Sequence, residues 1–120
     1  MKKNNPVVEK SFEYSKKVVR LSDMLKKESK EYELASQLLR SATSIGANIS
    51  EAQYAQSKKD FVSKMSIARK EANESKYWLK LLSETGIAEL ETIKDLLKDV
   101  YELLRILTAI IKTSTNNPQF

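Results

Sequence analysis

The chain has 120 residues, 41% hydrophobic and 31% charged, with 21 basic against 16 acidic side chains and a net charge of +5. That is the length of one domain, and the chain is too apolar to stay disordered. With 0 Cys, 0 His, 2 Gly and 2 Pro, it excludes thiolate and imidazole catalysis, zinc–sulfur sites and Gly-rich phosphate loops, and it lacks the turn residues of an all-β fold.

The first helix is expected to start near Pro6, with Asn5 as N-cap. Val8, Phe12, Ser15, Val19, Ser22 and Leu25 recur at steps of three and four, which predicts its buried face. The polar run Glu28-Ser29-Lys30-Glu31 is expected to hold the first turn.

The second helix is expected over residues 32–56, burying Leu34, Leu38, Ala42, Ile45, Ile49 and Ala52. Its stretch from Ser41 to Ser50 carries no charge and is mostly small. A glycine inside a helix costs about 1 kcal/mol relative to alanine, so Gly46 implies close approach by a neighbour. The small residues Ala68 and Ala72 of the third helix are the expected neighbours, and Gly46→Leu is expected to overpack that seam at a cost of about 1–3 kcal/mol.

Ser57-Lys58-Lys59-Asp60 predicts the start of the third helix as a capping box with Asp in place of Glu or Gln. Phe61, Met65, Ala68, Ala72, Ser75, Leu79 and Leu82 then alternate by four and three, an a/d seam. Gly86 is placed to end the helix, with Ile87 folding back on its last turn. The fourth helix is expected over residues 89–113. One stripe is Ile93, Leu97, Val100, Leu104, Leu107 and Ile111. A second is Leu96, Leu103, Ile106 and Ile110, interrupted by Asp99. The basic Lys94, Lys98, Arg105 and Lys112 mark the wet side.

Four helices with short connections predict an all-α, antiparallel up-down-up-down four-helix bundle in one domain, residues 1–120, with an ordered core at about residues 6–113 and loose tails. A long α-hairpin pair is the alternative, and three short polar breaks favour the closed bundle. No segment approaches the ~20 apolar residues of a membrane span. Met1-Lys2-Lys3 is followed by Asn4-Asn5-Pro6 rather than an apolar stretch, so no signal peptide is read and a cytoplasmic location is expected.

Carboxylates are the only conventional catalytic groups. Glu71 and Glu74 share a face at i, i+3. With Glu51 they have the chemistry for a hard cation, but as polar partners for the second helix or a neighbouring subunit they fit better, and no metal or cofactor is expected. Asn48 and Glu51 read equally as packing with an exposed glutamate or as a polar contact across an interface. Trp78 beside Tyr77 reads as an amphipathic edge aromatic rather than a base-stacking platform.

The basic excess is +3 over residues 6–30 and +3 over residues 57–86. Lys10, Lys17, Arg20 and Lys27 line one side of the first helix, and Arg69, Lys76 and Lys80 one side of the third. Either stripe has the spacing to track phosphates, but such a stripe is more often a solvated face. The two helices are diagonal in an up-down bundle, so one strong basic face is expected only in a symmetric oligomer. Helix four's second stripe, with Leu96, Asp99, Leu103, Ile106 and Ile110, is expected to be the oligomer interface, since a monomer rarely leaves such a ridge in water.

The run from Ala42 to Ala52 resembles a signature of the four-helix-bundle proteins encoded in intervening sequences of bacterial 23S ribosomal RNA genes, usually Ser-Ile-x-x-Asn-Ile-Ala-Glu-Gly. This chain matches at Ser44, Ile45, Asn48, Ile49 and Glu51, and departs at Ser50 and Ala52. The run from Phe61 to Leu82 is similar to the family's third helix. The resemblance implies a short antiparallel bundle without catalytic residues. Among its relatives, the accessory proteins of diversity-generating retroelements form barrel-like homopentamers that bind nucleic acid and a reverse transcriptase. The expected function is therefore that of a non-enzymatic, self-associating bundle, a pentamer by resemblance, binding RNA or a nucleic-acid-processing protein through basic oligomer surface. A protein-binding adaptor without nucleic-acid activity is the alternative, and no small-molecule substrate or membrane partner is evident.

Overall fold

Pro6 sets the first helical turn of the computed structural model, which describes residues 5–116. Helix α1 spans Pro6–Met24, α2 Tyr32–Ala52, α3 Lys58–Thr85 and α4 Leu90–Asn116. Of the expected tails, residues 1–4 and 117–120 lie outside the described residues, while Ser114, Thr115 and Asn116 still belong to α4. Each helix packs on its sequence neighbours, and α1 closes the ring on α4. The result is the closed bundle, 50 × 23 × 23 Å, rather than two separate hairpins.

The α1–α2 connection begins with a wide π-helical turn, Leu25–Ser29, that keeps Leu25 buried. The chain reverses at Lys30, whose φ of 54° and ψ of 31° are left-handed. The Lys30 and Glu31 amides both donate to the Leu25 carbonyl. A left-handed conformation is normally given to glycine. Helix α2 ends at Ala52, four residues before the expected end. There Gln53, Tyr54 and Ala55 donate to carbonyls three residues back, tightening the chain into turns. The Asn5 amide donates to Gln53 Oε1 at 2.9 Å rather than capping α1.

The α3 boundaries follow the sequence closely. Ser57 Oγ accepts from the Asp60 amide at 3.0 Å, while Asp60 Oδ2 accepts from the Gln56 amide at 3.2 Å. The reciprocal bond thus lands one residue before the usual position. Gly86, at φ 70°, ends the helix, and Ile87 packs on the core. Met65, Ala68, Ala72, Ser75, Leu79 and Leu82 are all buried, with Phe61 half-buried against them.

The face of α1 is rotated by about one residue from the expected one. Val7, Ser11, Tyr14, Val18, Leu21, Ser22 and Leu25 are inside, whereas Phe12 is 64% and Val19 48% exposed. Tyr14 explains the rotation, because its ring fills the centre and its hydroxyl hydrogen-bonds to that of Ser75 on the diagonal helix. The small serines then face α2: Ser15 Oγ donates to the Ala42 carbonyl at 3.3 Å, and Ser22 Oγ to that of Ala35 at 3.2 Å.

Those bonds also relocate the close approach at Gly46. A Cβ there would meet Ser15 Oγ at 3.4 Å and the Ser11 carbonyl oxygen at 3.7 Å, so Gly46 admits α1 rather than α3. Leucine at this position would press on α1. Alanine fits at ordinary contact distance, so Gly46→Ala is expected to stabilise the bundle by about 0.5–1 kcal/mol. Thermal denaturation followed by circular dichroism should show a rise of a few degrees, and a fall would mean that α1 has no room to yield.

Helix α4 buries Ile93, Leu96, Val100, Leu103, Leu107 and Ile111. This line runs between the two expected stripes and leaves Leu97, Leu104, Ile106 and Ile110 half-buried on its flanks. A helix in a closed four-membered ring packs on two neighbours, here α3 and α1, and therefore needs a face about twice as wide as a single seam. Leu96 and Leu103, each 1% exposed, thus belong to the chain's own core, and the free ridge expected for an interface does not exist.

Candidate functional site

Cations of the two sequence-predicted stripes have different surroundings. On α1, Lys10 pairs with Glu102 at 3.1 Å, Lys17 with Asp95 at 2.9 Å and Asp99 at 2.8 Å, and Lys27 with Asp23 at 3.2 Å. Asp99 therefore finds its basic partner within the chain. Its hydrogen bond, followed by that from Asp95, holds the Lys17 ammonium above the usual lysine range. These bonds clasp the α1–α4 seam. Among the described residues, Arg20 alone of this stripe is without an ion pair. Reversing all four charges would place a carboxylate at position 17 against Asp95 and Asp99, so this stripe cannot be reversed without straining the fold.

Among the described residues, the α3 stripe has no carboxylate partner. Lys76 Nζ stands over the Tyr101 ring of α4, 5.5 Å from its centroid. Arg69 and Lys80, seven and four residues away along the same helical stripe, form no ion pair among the described residues.

The residues of the α2 signature do local structural work. Ile45 and Ile49 lie in the core. Asn48 Nδ2 donates to the Ser44 carbonyl at 2.9 Å and to Ser44 Oγ at 3.3 Å, so its amide is satisfied within its own helix. Exposed Glu51 pairs with Lys64 at 3.0 Å, and this contact raises the Lys64 pKa above the ordinary value.

Glu51, Glu71 and Glu74 do not converge, and no metal-holding cluster exists among the described residues. Glu74 accepts from Trp78 Nε1 at 3.3 Å, and Trp78 meets Tyr77 edge-on at 5.1 Å. Glu71 is 9% exposed and its Oε1 has no partner among the described residues. An orphaned buried oxygen of this kind was not legible from sequence, because it depends on what α2 presents opposite. No helix is long and apolar enough to cross a membrane among the described residues.

The fold and these surfaces define a four-helix bundle with charge-clasped helices. The family model of the 23S rRNA-intervening sequence protein matches residues 3–109, and the chain belongs to that family. It is similar to a 1.70 Å crystal structure from Bacteroides thetaiotaomicron VPI-5482, described as a protein with unknown function from the S23 ribosomal protein family. The two share 47% identity and a TM-score of 0.87 over 89% of this chain and 99% of that one. No curated protein matches.

Proposed function

We propose that this chain is a non-enzymatic, self-associating bundle of the cytoplasm that binds RNA, alone or with a nucleic-acid-processing protein, through basic surface on a homo-oligomer. The observation that carries the reading is the unequal pairing of its cations. Carboxylates neutralise Lys10, Lys17 and Lys27, while Arg69, Lys76 and Lys80 are left for an external anion. Family resemblance points to five copies, which would repeat the α3 stripe around the assembly and strengthen its field.

Self-association would use the α1–α2 face rather than α4. Val8, Phe12, Ser15, Gly46 and Ala47 line a groove of about 370 Å³ there that has no charged residue in its walls, and Val19 continues the exposed line along α1.

In gel-shift titrations at low salt, micromolar protein is expected to bind RNA. Affinity should fall steeply with salt, by a log–log slope of ~0.7–0.9 for each phosphate neutralised. The triple variant Arg69→Glu, Lys76→Glu, Lys80→Glu should lose most binding while keeping its helical spectrum. Absence of binding by the parent would overturn the RNA reading in favour of a protein adaptor.

A further inference from the structure

Helix α4 separates its charges by side. Asp95, Asp99 and Glu102 are held by α1 lysines, and Glu91 lines the same α1–α4 groove. After Glu102 the helix has no carboxylate. Its cations Lys94, Lys98, Arg105 and Lys112 lie on the flank turned away from α1, by the ~100° step of a helix. None forms an ion pair among the described residues. Lys98, Arg105 and Lys112 recur every seven residues, ~10.5 Å apart along the axis.

Beside this row lies the α3 stripe, linked to it by Lys76 over Tyr101. The fold therefore joins two basic rows into one face within a single chain, without help from a second copy. On the α4 side of this face is a shallow groove of about 590 Å³, lined by Tyr101, Leu104, Arg105, Thr108, Ala109 and Lys112, all from α4. Its apolar groups, Leu104, Ala109 and the 42% exposed Tyr101 ring, lie among the cations rather than apart from them.

We propose that this α3–α4 face is a binding site for single-stranded nucleic acid, with phosphates on the Arg69–Lys76–Lys80 and Lys98–Arg105–Lys112 rows and a base against Tyr101. The inference rests on the RNA reading above and adds the site and the strandedness. A duplex offers phosphates but keeps its base faces stacked, so it has no use for an aromatic, apolar groove floor. A single strand supplies both phosphates and free base faces, and base–aromatic stacking within a basic groove is the recognition mode that suits it. Lys76, which covers the ring in the free protein, would turn to a phosphate as the base takes its place.

The test is fluorescence anisotropy on the full chain with a short labelled single-stranded RNA and a duplex containing the same sequence. The parent should prefer the single strand. Tyr101→Leu should weaken it roughly fivefold or more with the salt slope unchanged, as expected for loss of a stack without loss of charge. Tyr101→Phe should retain binding. Arg105→Ala with Lys112→Ala should weaken it and lower the slope by ~1.4, twice the single-strand value per phosphate. Circular dichroism checks that each variant is folded. Equal or tighter binding of the duplex, or indifference to Tyr101→Leu, would overturn the single-strand site while leaving the RNA reading intact. Failure of the parent to bind either probe would overturn both.

Discussion

Replacing Tyr14 with alanine is expected to destabilise the bundle by about 3–5 kcal/mol, the cost of removing a large buried aromatic. That is a large share of the ~5–15 kcal/mol that holds a domain folded. The ring is 1% exposed, and its hydroxyl crosses the core to Ser75, joining diagonal helices whose backbones are held only through α2 and α4. Tyr14→Phe keeps the ring but leaves the fully buried Ser75 hydroxyl without its partner, at a cost of about 1–3 kcal/mol. Ser75→Ala strands the phenol in the same way. The double variant Tyr14→Phe, Ser75→Ala removes both polar groups and should recover much of that loss, so a double-mutant cycle in urea should show coupling.

The same burial fixes a pH dependence. Desolvation pushes the Tyr14 pKa well above its ordinary value, outweighing the hydrogen bond from Ser75, which lowers it. The folded chain therefore holds this proton after the unfolded chain has begun to release it. The contribution is complete below the unfolded value of ~10 and is lost as pH rises through and beyond it. Tyr14→Phe should accordingly show a smaller alkaline loss of stability than the parent. An equal loss in both would place the alkaline sensitivity elsewhere, with Lys17 the next group to examine because its raised pKa acts in the same direction.

The third helix was the most legible part of the chain because its signals are local. A cap at Ser57, a stop at Gly86 and an unbroken four-three alternation all belong to one segment, and none depends on a neighbour. In the first helix, two apolar lines compete one residue apart. Tyr14 favours the Val7–Val18–Leu21 line by reaching Ser75, a partner 61 residues away that periodicity cannot reveal. For Gly46 the small stretch marks a place of close approach but not its direction, since serines on α1 and alanines on α3 are both small. The two apolar stripes of α4 show the width of its face in the sequence, while the cause of that width is the two-neighbour packing of a closed ring rather than a missing subunit. The charge rows were visible singly. Which of them is paired within the chain is decided by register across α1–α4, where Glu102, Asp95 and Asp99 meet Lys10 and Lys17.

Charging the α1–α2 face is expected to dissociate the proposed assembly. Phe12 and Val19 stand on α1 beside a groove without charged walls, and burying such side chains is worth roughly 1.5–3 kcal/mol each. A closed ring repeats that gain at every subunit contact, against association costs of about 4–15 kcal/mol. Light scattering on the parent should then give a multiple of the 13.7 kDa chain, and Phe12→Lys with Val19→Lys should give smaller particles with the parent's helical spectrum. Both side chains are already in water in the single chain, so the substitutions leave the core intact. Leu103→Lys with Ile110→Lys is a different experiment: Leu103 is 1% exposed, so a lysine there would disrupt the bundle and its helicity whether or not copies associate. If Phe12→Lys with Val19→Lys left particle mass unchanged, the contact would lie on another face. A parent that is monomeric at micromolar concentration would overturn self-association itself, leaving the basic α3–α4 face to act within one chain.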